Sequence, residues 1–233
     1  MPGPLNRGDC VFCGREFAAS SLTRHLSACP KRKEAQAAAD ATKRRAQTLY
    51  HLKVQDAMGI GYFLHLEMRG KATLEDLDAY LRTIWLECCG HLSAFRIEGV
   101  SYESMPDLEW SDAESMDVTV EQLFRPGLKM RYEYDFGSTT ELIITVMAER
   151  QGKPLTEHPI FLMARNKFEP PPCMVCGKPA TFLCTECMYS EDGQCELCDE
   201  HADEHEHDDM LLALVNSPRV GVCGYDGPAE PPY

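Results

Sequence analysis

No apolar run in this chain approaches the roughly 18 to 20 consecutive residues that cross a bilayer, so neither a membrane-spanning helix nor a membrane partner is expected. The opening MPGPLNRGDC also lacks the apolar stretch of a secretory signal, which makes the cytoplasm the expected location. Phosphate-binding glycine loops, nucleophile elbows and metalloprotease motifs are missing too, and with them the best-marked enzyme classes. Cations are scarce: 23 Lys/Arg face 37 Asp/Glu, for a net charge of -14. Residues 173–233 hold two Lys/Arg against thirteen Asp/Glu, a composition that repels polyanions. Only residues 1–53 reverse the sign, with ten against four, so any contact with DNA or RNA belongs there.

Cysteine, in contrast, is plentiful. Of twelve, nine sit in C-x2-C or histidine-paired spacings, and without an export signal that pattern points to thiolate metal ligation rather than disulfides. At 233 residues the chain has room for one mid-sized core flanked by small modules. The expected divisions are a finger at 1–30, a basic Ala-rich linker or solvated helix at 31–48, an α+β core at 49–169, and an acidic module with a tail at 170–233. Pro170, Pro171 and Pro172 mark the last boundary.

In the first set, Cys10 and Cys13 form a knuckle, and His25 and Cys29 follow at i and i+4. Helical spacing puts that pair on one face, and a Cys3His set satisfies tetrahedral zinc. Phe12, Phe17, Leu22 and Leu26 supply a small apolar cluster, and Ser20 or Ser21 is the expected helix cap. Zinc would contribute on the order of 10 kcal/mol to folding so small a unit. Arg15, Arg24, Lys31, Arg32 and Lys33 are the expected phosphate-contacting residues, although a single finger binds nucleic acid weakly and could equally bind a protein.

The second set runs Cys173, Cys176, Cys184, Cys187, Cys195, Cys198, then His201, His205 and His207. Four pairs suit two interleaved zinc ions, which tie together a segment without a sizeable core. The expected pairing places Cys173, Cys176, Cys195 and Cys198 on one ion, and Cys184, Cys187, His205 and His207 on the other. His201 is left as a spare or alternative ligand. The spacing resembles B-box-type cross-braced fingers. Three zinc ions per chain are therefore expected, each with four protein ligands and none open for catalysis. The acidity of this module points to a protein partner.

In the middle region, Leu74, Leu77, Leu81, Ile84, Trp85 and Cys88 recur at helical spacing, with Thr73 and Asp76 as a capping box, predicting a helix over 73–89. Strict alternation predicts a strand over 128–136 with Asp135 on its wet face, then a turn at Gly137 and Ser138 and a more buried strand over 141–148. Earlier strands are expected over 49–54 and 62–68. His91 reads as a helix-end cap, and Cys223 as a small buried side chain rather than a ligand. No catalytic residue is assigned.

The segments TLEDLDAYLRTIW, GHLSAF and YEYDFGSTTELIITV, with the later NSPRVGVCGYDG, resemble the plasmid pRiA4b ORF-three-like family, also labelled insertion-element passenger proteins. The resemblance implies a compact α+β domain with a mostly antiparallel sheet and hints at mobile-element biology, but carries no settled activity. Relatives often have Asp-Trp where this chain has Ser138 and Thr139, and Cys at the position of His207. The composite expectation is a non-enzymatic zinc-binding adaptor, with a pure protein scaffold as the alternative and an enzyme of the core domain behind both.

Overall fold

A computed structural model describes residues 7–107, 112–190 and 193–233. The first six residues of the expected finger therefore lie outside the described residues. The architecture is α+β, built on a mostly antiparallel sheet with Cys/His clusters flanking it. Among the described residues, no helix is long and apolar enough to cross a membrane.

The chain begins with β1 (Arg7–Cys10), β2 (Glu16–Ala18), α1 (Ala19–Ala28) and α2 (Pro30–Asp40). The next two strands are β3 (Gln47–Asp56) and β4 (Phe63–Arg69), followed by α3 (Leu74–Leu81) and a π-turn over Arg82–Leu86. Further strands are β5 (Ser93–Ile97), β6 (Val100–Glu103), β7 (Glu114–Ser115), β8 (Lys129–Tyr134), β9 (Thr140–Gly152) and β10 (Ile160–Asn166). These ten strands form one sheet in the order β2-β1-β10-β4-β3-β9-β8-β5-β6-β7, antiparallel except for β6 with β7.

Two apolar layers sandwich the sheet. On one face α3 and the π-turn bury Leu74, Leu77, Leu81, Ile84 and Trp85 against Leu52, Leu66, Ile144 and Val146. The Thr73 cap holds as the sequence suggests: its hydroxyl accepts from the Asp76 N–H at 3.2 Å, and the Asp76 carboxylate accepts from the Thr73 N–H at 2.8 Å. On the other face Leu22 and Leu26 of α1 pack with Phe63, Met163 and Ala164. The finger is thus joined to the core sheet through β1, which pairs with β10 in the register Gly8↔Asn166 and Cys10↔Ala164. Gly8 makes this approach possible, because a Cβ there would meet the Arg165 carbonyl oxygen at 2.4 Å.

The basic segment at 31–48 is divided: residues 30–40 are helical, with Arg32 and Ala39 buried beneath an otherwise solvated face, residues 41–46 are not, and β3 starts at Gln47. Several local expectations are corrected. Cys29 lies between α1 and α2 in a non-helical conformation (φ -58°, ψ 118°), because the residue before Pro30 is pushed out of the α region. Neither Ser20 nor Ser21 caps α1, which begins after Ala18; the Ser21 hydroxyl donates back to the Ala18 carbonyl at 3.0 Å. The helix expected over 73–89 closes at Leu86. The alternation of β8 ends at Tyr134: Asp135 takes a left-handed conformation (φ 65°), which buries its carboxylate and leaves Phe136 exposed.

A second, three-stranded sheet carries the C-terminal cysteines. It comprises β11 (Phe182–Cys184), β12 (Glu196–Leu197) and β13 (Leu211–Ala213) in the order β12-β11-β13, with one-turn helices α4 (Thr185–Met188) and α5 (Asp199–Ala202). Its apolar cluster is small, formed by Cys173, Cys184, Leu197, Cys198 and Ala202 with a few half-buried neighbours. So thin a core leaves most of the module's cohesion to its cysteines and histidines.

Candidate metal centres

All twelve cysteines are free, and every one except Cys195 falls in one of four groups whose ligand atoms lie within 4.8 Å of one another. Tetrahedral zinc, with bonds of about 2.3 Å to sulfur and 2.0 Å to nitrogen, sets its ligand atoms roughly 3.5 to 3.8 Å apart.

The first group is Cys10, Cys13, His25 and Cys29. β1 delivers Cys10, and a turn closed by the Gly14 N–H on the Cys10 carbonyl (2.8 Å) brings Cys13 back beside it. His25 projects from the last turn of α1 and puts Nε2 3.5 Å from Cys13 Sγ. Phe17 stacks on its ring at 3.7 Å, fixing its orientation. Burial, then the Arg15 charge, lowers the His25 pKa and favours the neutral imidazole that a metal requires.

Of the five basic residues assigned to phosphate contact, four are exposed: Arg15, Arg24, Lys31 and Lys33. Arg32 is not available. It turns under α2, where Nη1 donates to the Leu26 carbonyl at 3.1 Å and Nη2 pairs with Glu67 at 3.3 Å. Lys31 is shared with Glu34 at 2.7 Å.

In the C-terminal module the interleaving is present with one substitution in the ligand set. Cys173 and Cys176 meet Cys198 and His201, not Cys195. Cys176 Sγ lies 3.7 Å from Cys198 Sγ, and His201 Nδ1 lies 3.3 Å from Cys198 Sγ and 3.7 Å from Cys173 Sγ. The cause is local. Cys198 precedes α5, and that single turn, closed by the His201 N–H on the Cys198 carbonyl at 3.1 Å, swings the imidazole onto the thiolates. Cys195 instead places its carbonyl on the Cys184 N–H at 2.8 Å and is buried; burial, then Glu196, raises its thiol to about 11. Cys173 moves the other way. Burial works to raise it, but the N–H groups of Cys176, Cys198 and Val175 outweigh that and hold the thiol at about 6.

The third group joins Cys184, Cys187, His205 and His207 in the expected combination. Cys187 Sγ lies 3.4 Å from His205 Nε2 and 3.5 Å from His207 Nδ1, and Cys184 Sγ lies 3.7 Å from His207 Nδ1.

The fourth group was missed in the sequence: Cys88, Cys89, His91 and Cys223. Cys223 is exposed rather than buried, and His91 turns to the cysteines rather than capping a helix. The adjacent pair in Cys-Cys-Gly-His was the available signal, but its fourth member is 132 residues beyond His91, too far for a spacing rule.

The four groups suit metal binding in their donor chemistry and spacing. Among solved structures, the crystal structure of the protein of unknown function MM3350 from Methanosarcina mazei Go1 is similar at 18% identity and a TM-score of 0.41, covering 48% of this chain and 66% of that one. That match spans just under two thirds of the MM3350 chain. No curated protein matches. Residues 63–211, well over half of the sequence and including every cysteine and histidine of the interleaved module, match the family described as plasmid pRiA4b ORF-3-like protein, and the chain belongs to that family.

Proposed function

We propose that this chain is a non-enzymatic, zinc-structured adaptor whose metal ions build binding surfaces. The observation behind this reading is that each cluster offers four side-chain ligand atoms within 4.8 Å, the number with which structural zinc fills a tetrahedral shell. Three of the ions belong to the finger and the interleaved module. The finger presents Arg24 on the exposed side of α1, beside Ser20 and Ser27, with Arg15, Lys31 and Lys33 also exposed, and it reaches toward DNA or RNA phosphates. The acidic C-terminal module, with Asp199, Glu200, Asp203, Glu204 and Glu206 around its ligands, serves a protein partner.

A second reading, a purely protein-binding scaffold, is favoured by the loss of Arg32 to Glu67 and the pairing of Lys31 with Glu34, which thin the basic patch. Binding of the full chain to duplex and single-stranded DNA and RNA, measured from 50 to 200 mM salt, separates the two. For the adaptor, affinity falls with salt, and the charge reversals Arg24→Glu, Lys31→Glu and Lys33→Glu flatten the slope by roughly 0.7 to 0.9 for each phosphate no longer neutralised. No binding, or an unchanged slope in the triple variant, leaves the scaffold.

A further inference from the structure

We infer a fourth metal site, formed by Cys88, Cys89, His91 and Cys223, in which a zinc ion clasps the C-terminal tail to the end of the core helix. Cys89 Sγ lies 3.6 Å from Cys88 Sγ, 3.6 Å from Cys223 Sγ and 2.9 Å from His91 Nε2, and His91 Nε2 lies 3.4 Å from Cys223 Sγ. Apart from the short Cys89–His91 approach, these are the separations that tetrahedral zinc imposes, and the donor set repeats the Cys3His chemistry of the finger. The two sides of the site come from opposite parts of the chain. Residues 88–91 follow the π-turn, where the helix has ended, and Cys223 arrives on the tail.

The surrounding structure is built to deliver Cys223. Ser217, fully buried, donates to the Trp85 carbonyl at 2.6 Å. Arg219, also fully buried, donates to Asp135 at 2.7 Å, to the Ser138 carbonyl and Thr140 hydroxyl at 3.0 Å each, and to Cys88 Sγ at 3.5 Å. Beyond these anchors Cys223 takes a left-handed backbone conformation (φ 53°). For a residue that carries a Cβ this conformation is unfavourable, and residues held so concentrate where geometry serves a ligand. Asp135 Oδ1 lies 3.6 Å from His91 Nδ1, on the ring side away from the thiols, where an orienting carboxylate belongs when Nε2 is the ligand.

Charge accounting agrees. Loading zinc releases the three thiol protons to solvent and leaves a centre of charge about −1, which the Arg219 guanidinium, already paired with Asp135, approaches through its 3.5 Å hydrogen bond to Cys88 Sγ while solvent reaches the exposed Cys89 and Cys223. Cys89 and Cys223 are exposed, so the ion has an entry path from solvent.

This inference is independent of the choice between nucleic-acid and protein partners. Its test is the metal content of the full chain, purified under reducing conditions, against Cys223→Gly and Cys223→Ser. The glycine variant removes the ligand while relieving the left-handed strain, so it retains the fold. The expected result is one zinc ion fewer per chain in both variants, with the cobalt-substituted protein losing a matching share of its thiolate charge-transfer absorption. Equal metal content in wild type and variants overturns the fourth site, as does a Cys89–Cys223 disulfide found by non-reducing peptide mapping with no difference in metal. A wild-type count below three, in contrast, bears on the finger and the interleaved module, and so on the adaptor reading itself.

Discussion

Arg219 reaches out of the C-terminal tail to donate from Nη2 to Asp135 Oδ2 at 2.7 Å, with the arginine side chain at 0% and the aspartate at 7% exposure. The same guanidinium lies 4.8 Å over the Tyr134 ring, which Arg82 approaches at 4.8 Å as well. Asp135 is held at about 2: burial opposes ionisation, but the Arg219 bond and the Ser138 and Gly137 N–H groups prevail. Breaking a buried pair strands the remaining charge, so Arg219→Met should lower stability by about 3 kcal/mol or more in chemical denaturation. The combined change Arg219→Met with Asp135→Asn should recover part of that loss, because no charge is then left unpaired.

Glu67 makes the corresponding anchor on the opposite face of the sheet. It receives Arg150 through two bonds, at 2.8 and 3.0 Å, and Arg32 at 3.3 Å. Glu67→Gln should therefore cost about 3 kcal/mol and speed amide hydrogen exchange through residues 30–40, since α2 loses its ionic tether. Lys31→Glu, on the solvent side of the same helix, should change exchange in that segment far less, because its exposed pair with Glu34 contributes little in the face of solvent screening. Equal effects of the two substitutions would mean that α2 is held by something other than Glu67.

Much of the frame was legible because it rests on local periodicity. The Thr73–Asp76 box, the alternation of 129–134 and the apolar run of β9 each state their own conformation in a few consecutive residues. What stayed hidden is what tertiary structure decides. Arg32 reads as one of three consecutive cations, and only the approach of β4 turns it into the partner of Glu67. Asp135 follows the alternation in sequence but leaves it through a single left-handed residue. Cys223 has no neighbour in sequence and three in space.

A buried pair of histidines gives the fold a pH dependence below neutrality. His51 Nε2 and His65 Nδ1 lie 2.8 Å apart between β3 and β4. Burial, then the Arg32 charge, holds His51 down at about 4, and burial, then the charges of His51, Lys53 and Arg32, holds His65 at about 2. Unfolded histidines titrate near 6.5, so as pH falls from about 6.5 toward 4 the unfolded chain binds protons that the folded chain refuses. The histidines therefore contribute a loss of stability on acidification across that window. Urea midpoints at pH 7.5, 6.5 and 5.5 in excess zinc should fall progressively. The double variant His51→Leu with His65→Leu should show a shallower fall; an identical slope would assign the acid sensitivity to the metal ligands alone.

The sharpest test of the interleaved module sets His201 against Cys195. The C-x2 spacing recurs at 195, 198 and 201, so Cys198 can pair backward with Cys195 or forward with His201, and sequence spacing alone does not choose. The one-turn helix α5 chooses, placing His201 Nδ1 3.3 Å from Cys198 Sγ while Cys195 packs toward Cys184. Elemental analysis should thus find one zinc ion fewer per chain, or that ion lost first to a chelator, in His201→Asn. Cys195→Ser should keep the full complement and lose only about 1 kcal/mol of stability, the cost of a hydroxyl in a buried position shaped for a thiol. The reverse outcome, metal lost with Cys195 and retained without His201, would restore the backward pairing and require residues 195–201 to pack differently against β11.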